Sequence, residues 1–234
     1  MSQEVARVFQ QDEVAGRVEP VKRAYESLAP TYDRRWRSYI DVSLAKVMSA
    51  VPLVGNERIL DVACGTGELE RRLFARWPDL RITGVDLCPR MLAQAQEKHI
   101  AGDVTWIEAE ASRLPVPDSQ FDVVICANSF HYFRKPMNSL KEFRRCLART
   151  GTLILVDWCD DFWTCKLCSL WLRLTDPAFF CTYSLRAGRD MLVDAGFDVT
   201  HAERFKVSWL WGMMLFVGGK TLASDDRRSI SAIP

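Results

Sequence analysis

The sequence predicts an α/β protein built on a doubly wound, mostly parallel sheet with a helical cap at its N-terminus. Three observations predict this fold class. Short apolar runs alternate with amphipathic helical segments from residue 58 onwards, which is typical of parallel strand–helix units. The run 121–127 is apolar enough to be buried on both faces, as in a central parallel strand. A glycine-containing turn at 63–67 joins the first predicted strand to the first helix after it.

The N-terminal part is predicted to be separate in structure from the sheet. Residues up to Arg17 are polar and indicate a loosely held tail, and two helices are expected within 19–51, interrupted at 29–33 by a proline-containing segment. We assign residues 1–50 to this tail and helical cap, 51–220 to the main domain and 221–234 to a polar, disordered tail.

The main domain is predicted to contain seven strands and four regular helices. The predicted strands are 58–63, 81–87, 104–108, 121–127, 151–158, 197–205 and 209–217. The predicted helices are 69–77, 89–98, 137–147 and 185–195. Proline at the start of the second helix and glycine directly after the fourth are typical helix boundaries.

The turn after the first strand predicts a cofactor site. Gly65 and Gly67 allow a sharp turn and a close approach of the backbone to a ligand. Glu68 and Glu70 place acidic side chains at the positive end of the following helix, where they disfavour a diphosphate. The loop therefore favours a nucleotide-like cofactor without phosphates and argues against NAD.

Polar residues follow several of the predicted strands. Asp61 to Gly67, Asp86, Glu110 and Asn128 all fall at the carboxyl ends of strands. In doubly wound sheets ligands bind at these ends, near the point where the strand order reverses. The sequence therefore predicts that these residues share one pocket.

Four segments in chain order resemble motifs of the class I S-adenosylmethionine-dependent methyltransferases, in the branch that acts on quinones and lipid precursors. They are Asp61 followed by Val-Ala-Cys-Gly-Thr-Gly at 62–67, then 85–92, 108–115 and 121–128. The resemblance extends over nearly the whole chain. It implies a Rossmann-like methyltransferase sheet with an antiparallel last strand, S-adenosylmethionine as cofactor and a small-molecule acceptor.

The resemblance also implies roles for individual residues. Asp61 would contact the methionine amino group or bond to loop amides, and Glu110 would meet the adenine amine or stay solvated at its strand end. Asp86 follows Gly67 by 19 residues, a spacing at which a carboxylate reaches a ribose diol, although a helix-capping role is the alternative. The candidate cofactor-binding residues are Tyr32, Asp61, Ala63, Gly65, Thr66, Gly67, Asp86, Leu87, Met91, Glu110, Ala111 and Asn128.

The segment after the fourth strand is expected to face the transferred methyl group. His131 is the candidate catalytic residue, because histidine serves as a general base near neutral pH. A hydrogen-bonded structural histidine is the alternative, since in-line displacement on a sulfonium draws much of its rate from orientation. Tyr32 and Asp157 are secondary candidates for positioning.

Residues 158–183 are unusually rich in aromatic side chains. They predict either an apolar pocket for a hydrophobic or aromatic acceptor or a helical lid packed on the sheet. The same aromatic side chains are also suited to transient contact with a membrane surface, from which the protein would take up an insoluble substrate.

Composition limits the other function classes. A formal net charge of +1 gives no electrostatic reason to expect a nucleic-acid partner. The polar first nine residues do not resemble a signal peptide, and we expect a cytoplasmic protein. Among eight cysteines, Cys165 and Cys168 have a metal-like spacing, but their apolar surroundings favour packing over metal or redox chemistry, and no metal is expected.

Three functional hypotheses are compared on this sequence. Methyl transfer to a small molecule is favoured by the ordered motifs, and the alternative is a non-catalytic protein or scaffold that binds S-adenosylmethionine. An NAD(P)-linked oxidoreductase is disfavoured by Glu70.

Overall fold

A computed structural model describes residues 20–176 and 178–221. Its strands are β1 (Arg58–Val62), β2 (Arg81–Asp86), β3 (Asp103–Glu108), β4 (Phe121–Ala127), β5 (Leu147–Trp158), β6 (Phe197–Lys206) and β7 (Gly212–Lys220). Its helices are α1 (20–28), α2 (Tyr32–Arg35), α3 (Arg37–Ala50), α4 (Glu68–Arg76), α5 (Pro89–Glu97), α6 (Pro136–Cys146), α7 (Trp163–Thr175) and α8 (Leu185–Asp194). Short 3-10 turns cover Ala29–Thr31 and Phe130–Tyr132.

The seven strands form one sheet in the order β3-β2-β1-β4-β5-β7-β6. Strands β1 to β5 run parallel to their neighbours, whereas β7 is antiparallel to both β5 and β6. The chain starts in the middle of the sheet at β1, builds outward to β3 and then returns to β4 on the other side. The strand order therefore reverses between β1 and β4, and the predicted fold class is confirmed.

The central strands are buried on both faces. Leu60, Val124 and Leu155 belong to one buried cluster, and Ile59 and Ile154 belong to the cluster on the opposite face. This alternation follows from the two-residue period of a strand, with apolar residues at consecutive positions filling both sides.

The N-terminal helices cover one end of this sheet. Ile40, Leu44 and Val47 of α3 are buried in the same cluster as Ile59. The predicted interruption of the two helices is observed, and it extends from the turn at Ala29 through the short helix α2. The predicted tails up to Arg17 and beyond residue 221 lie outside the described residues, and the domain boundaries stay a prediction.

Three strand boundaries differ from the prediction by three or more residues: β5 begins at Leu147 instead of residue 151, and both ends of β7 are shifted. β7 begins at Gly212 because the apolar residues before it form a turn, in which the Ser208 hydroxyl accepts hydrogen bonds from the amides of Leu210 and Trp211. β7 continues past its predicted end to Lys220, through Gly218, where a Cβ would lie only 2.7 Å from the Asp198 carbonyl oxygen. No helix in the described part of the chain is both long and apolar enough to cross a bilayer.

Candidate functional site

A cavity lies at the carboxyl ends of β1, β2 and β4, beside the reversal in strand order. It encloses about 1240 Å³ when its open mouth is included, a size suited to a cofactor together with a small acceptor. All the predicted cofactor-binding residues except Gly67 line it. The parallel strands therefore bring together residues that lie far apart in the sequence. Their individual contacts to a ligand stay predictions.

The two glycines of the first loop serve different purposes. Gly65 has a φ of +57° and nothing lies within 4 Å of the place where a Cβ would be, so its backbone faces the open cavity. Gly67 has a φ of +73°, but a Cβ there would lie 2.9 Å from the Trp106 ring and 3.0 Å from the Ala95 Cβ. Gly67 therefore permits packing of α4 on its neighbours, whereas Gly65 leaves room for a ligand.

Asp86 is held rigidly at the cavity edge. Its Oδ2 accepts a hydrogen bond from the Gly65 amide at 2.8 Å, and its Oδ1 accepts one from the Cys88 amide at 2.8 Å. Burial raises the pKa of Asp86 to about 6 despite these bonds, so the carboxylate is mostly charged above neutral pH. Each oxygen retains acceptor capacity, which fits the two hydroxyls of a ribose.

Asp61 and Glu70 form a buried carboxyl pair beneath the same loop. Asp61 is 3% exposed and Glu70 is fully buried. Burial raises the pKa of both groups, and the charge of the neighbouring Asp61 raises the pKa of Glu70 further. Neither Glu70 oxygen has a hydrogen-bond partner among the described residues. Only Asp61 of the pair lines the cavity, where a carboxylate suits the amino group of a methionine moiety.

This burial corrects the argument from Glu70 about the cofactor. Glu70 was expected to repel a diphosphate, but its side chain points under the loop and keeps a proton. Glu68 does line the cavity, and its charge is compensated by Arg71, Arg72 and Lys98. Neither residue presents an unbalanced negative charge at the start of α4, so the two glutamates are weaker evidence against NAD than the sequence suggested.

We expect the free energy of unfolding to fall as the pH rises from about 4, the ordinary carboxyl pKa, through neutrality. The pKa values of Asp61 and Glu70 are higher in the folded protein than in the unfolded chain. The stability that these two groups contribute is therefore lost as the pH rises through their folded-state pKa values. Glu70→Gln replaces the titratable carboxyl with an amide that stays uncharged at every pH. It should flatten this dependence and raise stability at pH 8 by about 1–2 kcal/mol, as measured by urea denaturation across a pH series.

Glu68→Gln is the matched control for that prediction. Burial disfavours the charged form of Glu68, but Arg71 and Lys98 outweigh it and lower its pKa to about 2. Stability should therefore decrease at pH 8 in this variant, the opposite sign to Glu70→Gln. Equal effects of the two substitutions would contradict a raised pKa of the buried Glu70 carboxyl.

Asn128 ties the strand end to the helical cap. The Tyr39 hydroxyl donates to Asn128 Oδ1 at 2.9 Å, and Asn128 Nδ2 donates to the Ser43 hydroxyl at 2.9 Å. The Trp158 indole donates in turn to the Tyr39 hydroxyl at 2.7 Å. Asn128 itself has a φ of +62°, a backbone region that asparagine tolerates better than most residues. These bonds position α3 over the cavity.

The predicted adenine end of the cavity is partly polar. Glu110 Oε1 accepts a hydrogen bond from the Ser112 hydroxyl at 2.8 Å, which leaves Oε2 for a ligand. Ala111 and Leu87 line the cavity beside it. Met91 is 1% exposed and packs with Ala29 and Cys88, so it is both a cavity wall and a core residue.

Three tyrosines form an aromatic wall, and of these only Tyr32 is predicted from the sequence to bind the cofactor. The ring of Tyr25 lies 5.9 Å from that of Tyr32 and 5.4 Å from that of Tyr132, centroid to centroid. All three line the cavity. Burial raises the pKa of each, so they stay uncharged and present ring faces and hydroxyls to a ligand.

His131 lies behind this wall and is not among the residues that line the cavity. It is 2% exposed, its Nδ1 is 2.6 Å from Asp157 Oδ1, and its ring stacks on Trp158 at 4.1 Å. Nε2 has no hydrogen-bond partner among the described residues. The next residue, Tyr132, faces the cavity instead. A general-base role for His131 stays a prediction.

The cysteine group at 159–181 is distributed around α7. Cys165 contacts the start of β7, accepting a hydrogen bond from the Gly212 amide at 3.1 Å, and Cys159 lies 3.5 Å from an Asp161 carboxylate oxygen. Cys168 and Cys181 are partly exposed. Within 20–176 and 178–221, no three potential metal ligands converge.

Comparison with known proteins connects this geometry to a family. Residues 59–151 match a family described as a methyltransferase domain. The demethylmenaquinone methyltransferase of Deinococcus radiodurans is 34% identical over 151 residues, which cover 59% of this chain and 60% of that protein. The chain therefore spans about 60% of the length of this curated relative.

Two solved structures share the fold at low sequence identity. A S-adenosylmethionine-dependent methyltransferase from Thermotoga maritima has a TM-score of 0.69 and 20% identity, covering 85% of this chain and 99% of that one. The cyclase SpnF has a TM-score of 0.71 and 18% identity, covering 87% and 96%. Similarity at this level concerns the fold alone.

The matched segment runs from β1 to β5 and contains the first glycine loop, Asp86, Glu110 and Asn128. Those residues surround one cavity whose open Gly65 face and paired acceptors suit S-adenosylmethionine, the cofactor of this protein class. Residues 59–151 therefore match a methyltransferase domain, and the chain has the fold of solved S-adenosylmethionine-dependent methyltransferases.

Proposed function

We propose that the protein transfers the methyl group of S-adenosylmethionine to a small apolar or aromatic acceptor of the quinone class. The observation that carries this proposal is that Asp61, Gly65 and Asp86 line the same cavity as the aromatic wall of Tyr25, Tyr32 and Tyr132. The polar side suits the amino group and ribose of the cofactor, and the aromatic side suits a planar ring.

The chain's own residues would act mainly by positioning. When bound, S-adenosylmethionine supplies an electrophilic methyl group on a sulfonium. Asp61 and Asp86 would hold the amino group and the ribose of the cofactor, while Tyr25 and Tyr132 would hold the acceptor ring and exclude water. Alignment of this kind favours in-line displacement, in which orientation supplies a large part of the rate.

A quinone-type acceptor is supported by two independent features. The matched relative from Deinococcus radiodurans acts on demethylmenaquinone, as its name states. The acceptor side of the cavity is built from aromatic and apolar side chains, including Tyr132 and Phe133. A prenylated acceptor of this class resides in a bilayer, so the enzyme would meet a membrane surface transiently.

A non-catalytic role in binding S-adenosylmethionine is the second candidate. The similarity to SpnF, which is a cyclase, shows that a chain with this fold need not be a methyltransferase. In that case the cavity would bind the cofactor with no transfer to any acceptor.

The decisive experiment combines binding with product identification. The purified protein is incubated with methyl-labelled cofactor and a panel of reduced short-chain quinones, phenols and amines, and labelled products are identified by mass spectrometry. Label in a quinol product, with S-adenosylhomocysteine binding in calorimetry, is the expected result. Binding without any labelled product would support the non-catalytic alternative, and absence of binding at millimolar ligand would overturn both.

A further inference from the structure

Helix α7 carries its large apolar side chains on the outside of the protein. Trp163, Leu167, Leu170, Trp171 and Leu174 are 59–82% exposed. They follow the pattern i, i+4, i+7, i+8 and i+11, which places them on one face of the helix. Contiguous exposed apolar patches of this kind are uncommon on globular proteins and mark interaction sites.

The inner face of the same helix is composed of small, mostly polar residues. Thr164, Cys165 and Ser169 are buried against the protein. The Ser169 hydroxyl is 2.7 Å from that of Thr182, and Cys165 accepts a hydrogen bond from the Gly212 amide. This arrangement is the reverse of an ordinary surface helix, whose apolar stripe faces the core. The outer apolar face is therefore not explained by packing within the described part of the chain.

We infer that this outer face inserts into the interfacial region of an anionic lipid bilayer. The inference rests on the proposed function, because it supplies the route by which a membrane-resident acceptor reaches the cavity. Helices that lie in a bilayer interface combine tryptophan and leucine on one side with lysine and arginine nearby. Lys166 is exposed on α7, and the helix contains no acidic residue.

Residues next to α7 add a further exposed tryptophan and a further cation to this surface. Trp209 is 77% exposed in the turn before β7, and that turn contacts the helix through the Leu210 carbonyl and Cys165. The Lys206 ammonium lies 5.6 Å from the ring centroid of Phe162, the residue that precedes α7. Of the nearby acids, Asp161 pairs with Arg204, and Asp176 accepts from the Ala178 amide. The face thus has cations at its edge, as attraction to anionic lipids requires.

A second copy of the chain suits this face less well. The centres of protein–protein interfaces are depleted in lysine, whereas Lys166 lies within the exposed stretch of α7. Two copies paired through the same face would also bring these cations toward each other. A bilayer interface accepts both the tryptophans and the lysines, because the long lysine stem reaches to the phosphate level.

The segment that follows α7 contacts residues at the cavity. Phe180 follows α7 and is 37% exposed, and the Arg134 guanidinium, which belongs to a cavity-lining residue, lies 5.7 Å from its ring centroid. The amides of Phe180 and Cys181 donate hydrogen bonds to the His131 carbonyl, next to the lining residue Tyr132. A prenyl chain held in the bilayer would therefore present its ring close to the aromatic wall.

Vesicle binding tests the inference directly. The full chain is mixed with phosphatidylcholine vesicles, with or without phosphatidylglycerol, and bound protein is measured by sedimentation. Wild type should bind anionic vesicles, and the double variant Leu170→Gln/Leu174→Gln should bind about tenfold more weakly. Lys166→Glu should reduce binding to the anionic vesicles with little effect on the neutral ones.

A matched control removes exposed apolar side chains elsewhere. Val54→Gln/Val193→Gln changes residues that are 87% and 53% exposed outside α7, and it should bind vesicles like wild type. Binding by wild type that the α7 variant does not weaken, or the absence of vesicle binding, would overturn the inference. So would a concentration-dependent dimer, abolished by the α7 double variant, without lipid binding.

The proposed function is assayed separately with a water-soluble short-chain quinol. Because the α7 face does not line the cavity, the double variant should methylate this acceptor at the wild-type rate. Failure of vesicle binding with intact transfer would reject only the membrane surface, whereas failure of transfer by the wild type would reject the function.

Discussion

Replacing Asp86 with alanine is expected to weaken S-adenosylmethionine binding by about 100-fold or more. Hydrogen bonds to a charged group contribute about 1.5–3 kcal/mol each, and the carboxylate offers both oxygens to the ribose diol. Asp86 also anchors the Gly65 and Cys88 amides, so its loss loosens the loop whose open glycine faces the cofactor. Calorimetric titration with S-adenosylhomocysteine measures the effect.

Two further variants separate the charge from the loop geometry. Asp86→Asn keeps the shape of the side chain and one amide acceptor, and it should lose less affinity than Asp86→Ala. Glu110→Gln alters a cavity residue at the predicted adenine end, where one oxygen is already bonded to Ser112, and it should cost less than about tenfold. Unchanged affinity in Asp86→Ala, or equal losses in Asp86→Ala and Glu110→Gln, would contradict the ribose assignment.

The sequence predicts this part of the site well because its geometry is local. A fixed spacing from Gly67 to Asp86 spans one helix and one strand, and parallel strands bring their carboxyl ends to one edge of a sheet. The same rule correctly gathers Glu110 and Asn128 at the cavity. Contacts between segments that are distant in the sequence cannot be predicted in this way. The hydrogen bond from Tyr39 to Asn128 joins residues 89 positions apart, and no spacing rule predicts it.

Burial of Glu70 was predictable in principle. It lies three and four residues before Leu73 and Phe74 and therefore falls on the apolar face of α4. Its charge and its position near the helix start predict repulsion of a diphosphate, whereas helical periodicity decides which way the side chain points. Gly67 shows a similar limit, because its need for space comes from Trp106, a residue of a strand two places away in the sheet.

The position of His131 depends on a feature that the sequence does not specify. A 3-10 turn at Phe130–Tyr132 buries Phe130 and His131 and directs Tyr132 to the cavity. A shift of one residue in this turn would exchange their roles. The orientation of α7 is also unexpected, because an apolar helix sequence predicts burial of its large side chains rather than of Thr164 and Ser169.

Asp157→Ala is expected to lower the free energy of unfolding by about 3–5 kcal/mol and the melting temperature by about 6–20 °C. The Asp157 carboxylate is 1% exposed and accepts hydrogen bonds from the backbone amides of His131 and Trp158, and it lies against His131 Nδ1. Alanine would leave these buried donors without an acceptor, and each such group costs about 1–3 kcal/mol. Thermal and urea denaturation measure the loss.

His131→Phe distinguishes a structural from a chemical role of the same pair. Phenylalanine keeps a ring on Trp158 and removes only the contact of Nδ1 with Asp157, so this variant should be destabilised less than Asp157→Ala. Because His131 does not line the cavity, S-adenosylhomocysteine affinity should change by less than about threefold, well under 1 kcal/mol.

Transfer of the labelled methyl group, measured below the melting temperature, then distinguishes the two roles. If methyl transfer persists, His131 has a structural role and holds the turn that directs Tyr132 to the acceptor. If methyl transfer is lost in a variant that still folds and binds the cofactor, His131 has the general-base role predicted from the sequence.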